Sequence, residues 1–76
     1  MEDAQEQEQA QAQAKRWVRR LIRKGQLPDL REDAGLTQSD VARAVGVTPS
    51  TVSRWEAGRM SITGEHAVAL LALLGD

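Results

Sequence analysis

The chain contains no cysteine, which excludes disulfides and thiolate metal sites as sources of stability. Tyrosine and phenylalanine are absent as well, and two tryptophans are the only aromatic residues. A core must therefore be assembled from Leu, Val, Ile, Ala and tryptophan. β-Branched residues never alternate over a useful length, so strands are not expected. Long apolar runs are missing too. The longest, Ala67 to Leu74, is far too short to span a bilayer. The acidic, glutamine-rich beginning has neither the basic nor the apolar region of a signal peptide. These absences point to a soluble cytoplasmic protein. At 76 residues it is one small all-α domain, near the lower limit for a self-sufficient core.

Catalytic equipment is equally scarce. One histidine, His66, stands in the first turn of an expected helix, with no cysteine nucleophile, carboxylate pair, metal-ligand cluster or glycine-rich phosphate loop beside it. A lone histidine in that setting is more often a surface or half-buried residue than a base. The expectation is a protein that is not an enzyme and needs no cofactor, metal or small-molecule ligand.

The charge that is present is unevenly placed. The net charge is −1, yet Glu2, Asp3, Glu6 and Glu8 put four acids and no bases in the first fourteen residues. From Lys15 onward ten bases face seven acids, and six of those bases, Lys15, Arg16, Arg19, Arg20, Arg23 and Lys24, fall within ten residues. Partners respond to local field rather than total charge, so an acidic total does not exclude nucleic acid.

From about Asp3 to Lys24 the chain consists of strong helix formers, with acids early and bases late to complement the helix dipole. Ala10, Ala14, Trp17 and Leu21 fall on one stripe with Val18 and Ile22 beside it, which predicts a helix firm from about Ala10 to Arg23 and ended by Gly25. This is a helical arm over residues 1–24, distinct from the domain expected over 27–76. Pro28 excludes α geometry at Leu27 and starts the next helix, about Pro28 to Ala34.

The most informative stretch runs from Leu36 to Gly58, LTQSDVARAVGVTPSTVSRWEAG. Thr37 and Asp40 form a capping box that opens an apolar-periodic run through Val41, Ala42 and Val45. Gly46 takes the positive φ that ends this helix. Thr48 caps a second helix whose first residue is Pro49, where a missing N–H costs nothing. Val52 and Trp55 face inward, leaving Ser50, Thr51 and Arg54 outside, and Gly58 stops the helix. This is the layout of a helix-turn-helix, with a reading unit over 37–58 and a second helix, 49–57, able to lie in a DNA major groove. A loop, Arg59 to Ile62, leads to a last helix of about Gly64 to Leu74 capped by Thr63. Its Val68, Leu70, Leu71, Leu73 and Leu74 exceed what one face needs, so either the helix is deeply buried or some leucines meet another surface.

Leu30-Arg31, Gly35-Leu36-Thr37-Gln38, Val41-Ala42, Gly46-Val47, Val52-Ser53, Trp55-Glu56 and Gly58, at unbroken spacing, resemble the Cro and phage-repressor type of helix-turn-helix, the XRE-like family of bacteria and their phages. The resemblance covers Leu27 to Leu74. It implies a compact five-helix domain, here preceded by or including a long N-terminal helix, whose second and third helices form the reading unit. It implies that Arg31 and Glu56 pair, and that Gln38 bonds a backbone phosphate. The chain departs from the family where many relatives read adenine with a glutamine early in the recognition helix; that position is Pro49.

Sequence is read at base edges, while phosphate contacts fix the register. Arg54 can donate two bonds to guanine O6 and N7, Ser50 can donate or accept, and the Thr51 methyl can touch a thymine methyl. Thr37, Gln38, Thr48, Ser53 and Arg59 are the candidates for phosphate. Among Lys15, Arg16, Arg19, Arg20, Arg23 and Lys24 one helix face cannot hold all six, so only a subset reaches flanking DNA. The resulting expectation is a sequence-specific transcriptional regulator of double-stranded DNA, a phage or prophage Cro-like protein or repressor. Because the chain ends directly after the last helix, it is expected to lack the oligomerising second domain of larger repressors. It then binds its operator either as a homodimer or as a monomer helped by the arm. The competing expectation is an antitoxin that binds a toxin through the acidic N-terminal segment and represses its own operon.

Overall fold

The computed structural model describes residues 4–75, so Glu2 and Asp3 lie outside the described residues. Five α-helices and no strand are present among the described residues. They are α1 (Ala4–Arg23), α2 (Leu27–Asp33), α3 (Gln38–Val45), α4 (Pro49–Glu56) and α5 (Gly64–Leu74). Among these residues no helix is long and apolar enough to cross a membrane. The long N-terminal helix takes first place in the chain, so the reading unit is formed by α3 and α4.

α1 is longer than its apolar stripe. Its buried positions are Ala14 and Val18, both 0% exposed, with Trp17, Leu21 and Ile22 packed beside them. Ala10, expected on the buried stripe, is exposed, as are all residues from Ala4 to Gln13. The stripe is therefore centred on Ala14 and Val18, and the first turns of α1 carry no core residue. Gly25, in the left-handed region, ends the helix.

Leu27 corrects a second expectation. It is the first residue of α2 rather than an extended link, and Pro28 sits in the opening turn. Proline disfavours α geometry in its predecessor without forbidding it. Here the Leu27 side chain is almost wholly buried, and placing it in the core stabilises by about 1.5–3 kcal/mol, enough to override a local bias.

The remaining helices start as their capping residues dictate. The Thr37 hydroxyl accepts from the Asp40 N–H at 3.0 Å while the Asp40 carboxylate accepts from the Thr37 N–H at 2.9 Å. Thr48 accepts from the Thr51 N–H and Thr63 from the His66 N–H. Between α3 and α4, Gly46 adopts φ +90°, a conformation that glycine enters without steric cost. The N–H groups of Gly46 and Val47 both return to the Ala42 carbonyl.

The capping box has a pH signature. The hydrogen bond from the Thr37 backbone N–H, aided by the Thr37 side chain and by Arg43, holds the Asp40 carboxyl below its ordinary pKa. A depressed folded value stabilises fully above the unfolded pKa, about 3.9, and the effect is lost as pH falls through the folded value. Asp40→Asn is therefore expected to melt below the parent at neutral pH, with the gap closing below about pH 4. Melting temperatures across that range check it, and a constant gap contradicts it.

One core unites Ala14 and Val18 of α1, Leu27 of α2, Val41 and Ala42 of α3, Val52 and Trp55 of α4, Ile62, and Ala67, Leu70 and Leu74 of α5. From Ala14 onward, α1 thus belongs to the same bundle as the reading unit. α1 packs chiefly on α5, and α3 packs on both α4 and α5. This explains the surplus of apolar residues on α5: it is covered by the reading unit on one side and by α1 on another. The two helices approach closely, since a Cβ added to Gly64 would lie only 2.7 Å from the Gln11 Cβ. Leu73, 36% exposed, is the leucine left outside.

Candidate nucleic-acid interface

α4 is an eight-residue helix with two unlike faces. Val52 and Trp55 are 2% and 1% exposed and anchor it in the core. Ser50, Ser53 and Arg54 are exposed on the other side. Ser50 and Arg54 are four residues apart and hence share a face. Arg54 has no carboxylate partner among the described residues, so its five donors are free for an external acceptor.

Thr51 is less available than its neighbours. It is half-buried, and its hydroxyl is bonded to that of Thr48 at 2.9 Å. The pair links the cap to the first turn, which leaves the methyl group as the part of Thr51 suited to an outside contact.

At the base of α4 three helices are tied together through one carboxylate. Glu56 accepts from Arg31 Nε at 2.7 Å and from Gln38 Nε2 at 2.8 Å. Arg31 also donates from Nη1 to the Leu36 carbonyl at 2.8 Å. The Arg31 and Glu56 side chains are only 11% and 7% exposed. The hydrogen bond that Arg31 donates to Glu56 raises the Arg31 pKa above its already high ordinary value. This pairing was an implication of resemblance; the Gln38 bond was not foreseen. Gln38 is the first residue of α3, and nothing in its spacing from Glu56 announces a contact across eighteen positions. One amide hydrogen of Gln38 is thereby committed, leaving its oxygen and second hydrogen for an outside group.

An open cleft of about 590 Å³ lies where the N-termini of α3 and α4 meet, lined by Arg31, Thr37, Gln38, Ser39 and Pro49 among others. Arg31 is neutralised there by Glu56 and the exposed Glu32 adds a second carboxylate, so the cleft offers hydroxyls, an amide and helix-start N–H groups rather than free positive charge. Ser39, exposed in the first turn of α3, was not singled out from sequence. Its position beside the Thr37 cap was the available signal.

At the opposite end of α4 the Arg59 N–H donates to the Arg54 carbonyl at 2.8 Å, which fixes the chain just past the helix. Arg59 is exposed there. The six bases of α1 divide by helical geometry. Lys15, Arg19 and Arg23 follow one another at intervals of four along one flank. Arg16 and Arg20 point directly away from Val18, and Lys24 lies on the other flank. Only Arg19 and Arg23 join Arg59 in lining a common depression.

A family model described as Helix-turn-helix matches residues 29–75, which takes in almost all of α2 through α5. The chain belongs to the Cro/repressor type of helix-turn-helix proteins. No curated protein and no solved structure matches it. Membership makes this chain a DNA-binding regulator of the helix-turn-helix type, with α3 and α4 as the two helices of the motif. α1 lies outside the matched region, although its second half is inside the core.

Proposed function

We propose that this helix-turn-helix protein is a sequence-specific, Cro-like transcriptional repressor that places α4 in the major groove of an operator in double-stranded DNA. The observation that carries the reading is Arg54: an exposed guanidinium with no carboxylate partner among the described residues, on a helix whose opposite face is locked into the core by Val52 and Trp55. A rigid helix with one free planar donor is what bidentate reading of a guanine requires. Ser50, one turn earlier, and the Thr51 methyl complete the base-facing set. Thr37, Gln38, Ser39 and Thr48 surround the N-terminal ends of α3 and α4 and, with Ser53 exposed further along α4, hold the phosphate backbone through hydroxyls, an amide and N–H groups. α4 carries no glutamine or asparagine, so adenine is not read by a bidentate amide, and discrimination rests on Arg54 together with DNA shape.

Selection of bound fragments from random duplex DNA tests this. A consensus containing a G·C pair within the bound half-site is expected, and an inverted repeat in it would indicate two copies per operator. Arg54→Ala is expected to weaken binding to that site by about 1–3 kcal/mol and to relax preference at a single base pair. An equal loss on every sequence would make Arg54 a phosphate contact instead. Absence of affinity for any duplex at low salt would overturn the reading.

A further inference from the structure

The depression between the C-terminal half of α1 and the α4–α5 loop is lined by Arg19, Ile22, Arg23, Gly58, Arg59, Met60, Ser61 and Ile62, three arginines with no acidic residue. Among the described residues none of the three is paired with a carboxylate. Three guanidiniums around one concavity repel one another unless an anion sits between them. The space, about 290 Å³, admits a phosphate group with water. The position is defined on both sides. Arg59 is held by its N–H bond to Arg54, and α1 is seated against the end of the recognition helix, where a Cβ on Gly58 would lie 3.5 Å from an Ile22 methyl carbon.

An eight-residue helix is about 12 Å long, close to the width of the major groove, about 12 Å. The cleft at the N-terminus of α4 and the arginine depression beyond its C-terminus flank the helix at its two ends. The first carries no free positive charge, because Arg31 there faces both Glu56 and Glu32. The second carries the free positive charge.

We propose that Arg19 and Arg23 of α1, together with Arg59, form a phosphodiester-binding cleft that grips the DNA backbone flanking the groove read by α4. Arg16 and Arg20, on the outward face of the same helix, take no part. The inference rests on α4 occupying the groove, and it assigns α1 a role in binding that the matched helix-turn-helix region does not include. The ligand chemistry is a phosphate oxygen anion. A backbone phosphodiester is the source argued here, because the depression lies beside the recognition helix.

The test compares two double variants of the full chain with equal charge change, Arg19→Gln/Arg23→Gln and Arg16→Gln/Arg20→Gln. Binding is measured on a selected duplex and on a mixed-sequence duplex over a range of salt. Each lost phosphate contact lowers the log–log salt slope by about 0.9, so the first variant is expected to lose about one to two units of slope on both duplexes, with the preference between them unchanged. The second is expected to keep the parental slope to within about half a unit. Both sets of arginines are exposed, and unchanged melting curves confirm that folding is intact. A parental slope in the first variant, or an equal loss in both, overturns the inference while leaving α4 binding in place. Absence of DNA binding by the parent overturns both readings. Titration with inorganic phosphate separates the sources: saturable binding to the DNA-free protein, abolished by Arg19→Gln/Arg23→Gln, would make the cleft a free-anion site and overturn the DNA assignment.

Discussion

Trp55→Ala is expected to abolish the cooperative melt of this protein near room temperature, or to lower its midpoint by at least about 12 °C. Removing a large aromatic side chain from a core costs about 3–5 kcal/mol. A domain of 76 residues has only about 4–11 kcal/mol in total, at roughly 0.05–0.15 per residue. The site has little means of collapsing around the loss. Trp55 is 1% exposed, its ring lies 5.6 Å from that of His66 at a tilt of 49°, and Leu27, Val41, Val52, Leu70 and Leu74 converge on the same region. These residues come from four helices, so the cavity disconnects the recognition helix from its supports. Circular dichroism melts read the stability loss, and DNA titrations read its consequence, an equal loss of affinity on every sequence. A midpoint within a few degrees of the parent would show that the bundle stands without this side chain.

The second large effect is expected at Glu56. Glu56→Ala leaves the Arg31 guanidinium, 11% exposed, with only the solvent-exposed Glu32 carboxylate at 3.7 Å as counter-charge, a change that costs up to about 3–5 kcal/mol. It also frees the Gln38 amide, so α2 and α3 lose their shared attachment to α4. Glu56→Gln is expected to cost less, because its side-chain oxygen still accepts from Arg31. Replacing both charges, in Arg31→Met/Glu56→Leu, removes the penalty of the stranded cation and is expected to recover much of the loss. Urea unfolding of the single and double variants gives the coupling energy directly. Equal and additive losses would show that the two side chains act independently despite their 2.7 Å contact.

Much of the reading unit was legible in the chain, and for a local reason. Capping by Thr37, Thr48 and Thr63, the stop at Gly46 and the inward spacing of Val52 and Trp55 depend on residues within one or two turns of one another. Helix ends and faces of this kind are decided by short-range hydrogen bonds and by the 3.6-residue period, which a sequence displays openly. The outward direction of Arg54 follows from the same period. Arg31 and Glu56 were paired through resemblance, since their separation of twenty-five residues carries no signal of its own.

Tertiary packing decided the rest. Leu27 is helical because burial of its side chain outweighs a backbone preference. Ala10 is exposed although it continues the stripe, because periodicity identifies a face without saying how far another helix covers it. Gln38 was available as a free polar group in the sequence and is half committed to Glu56 in the fold. The basic run of α1 is the clearest case. Six cations in ten residues are evident by inspection, yet only the docking of α1 on α5 turns Arg19 and Arg23 toward Arg59. The sequence by itself determined which segments coil into helices and which residues lie on their outer faces, because those depend on neighbours along the chain. Which outer faces come to share a surface was decided by the tertiary structure, because it depends on how buried side chains from distant segments fit together.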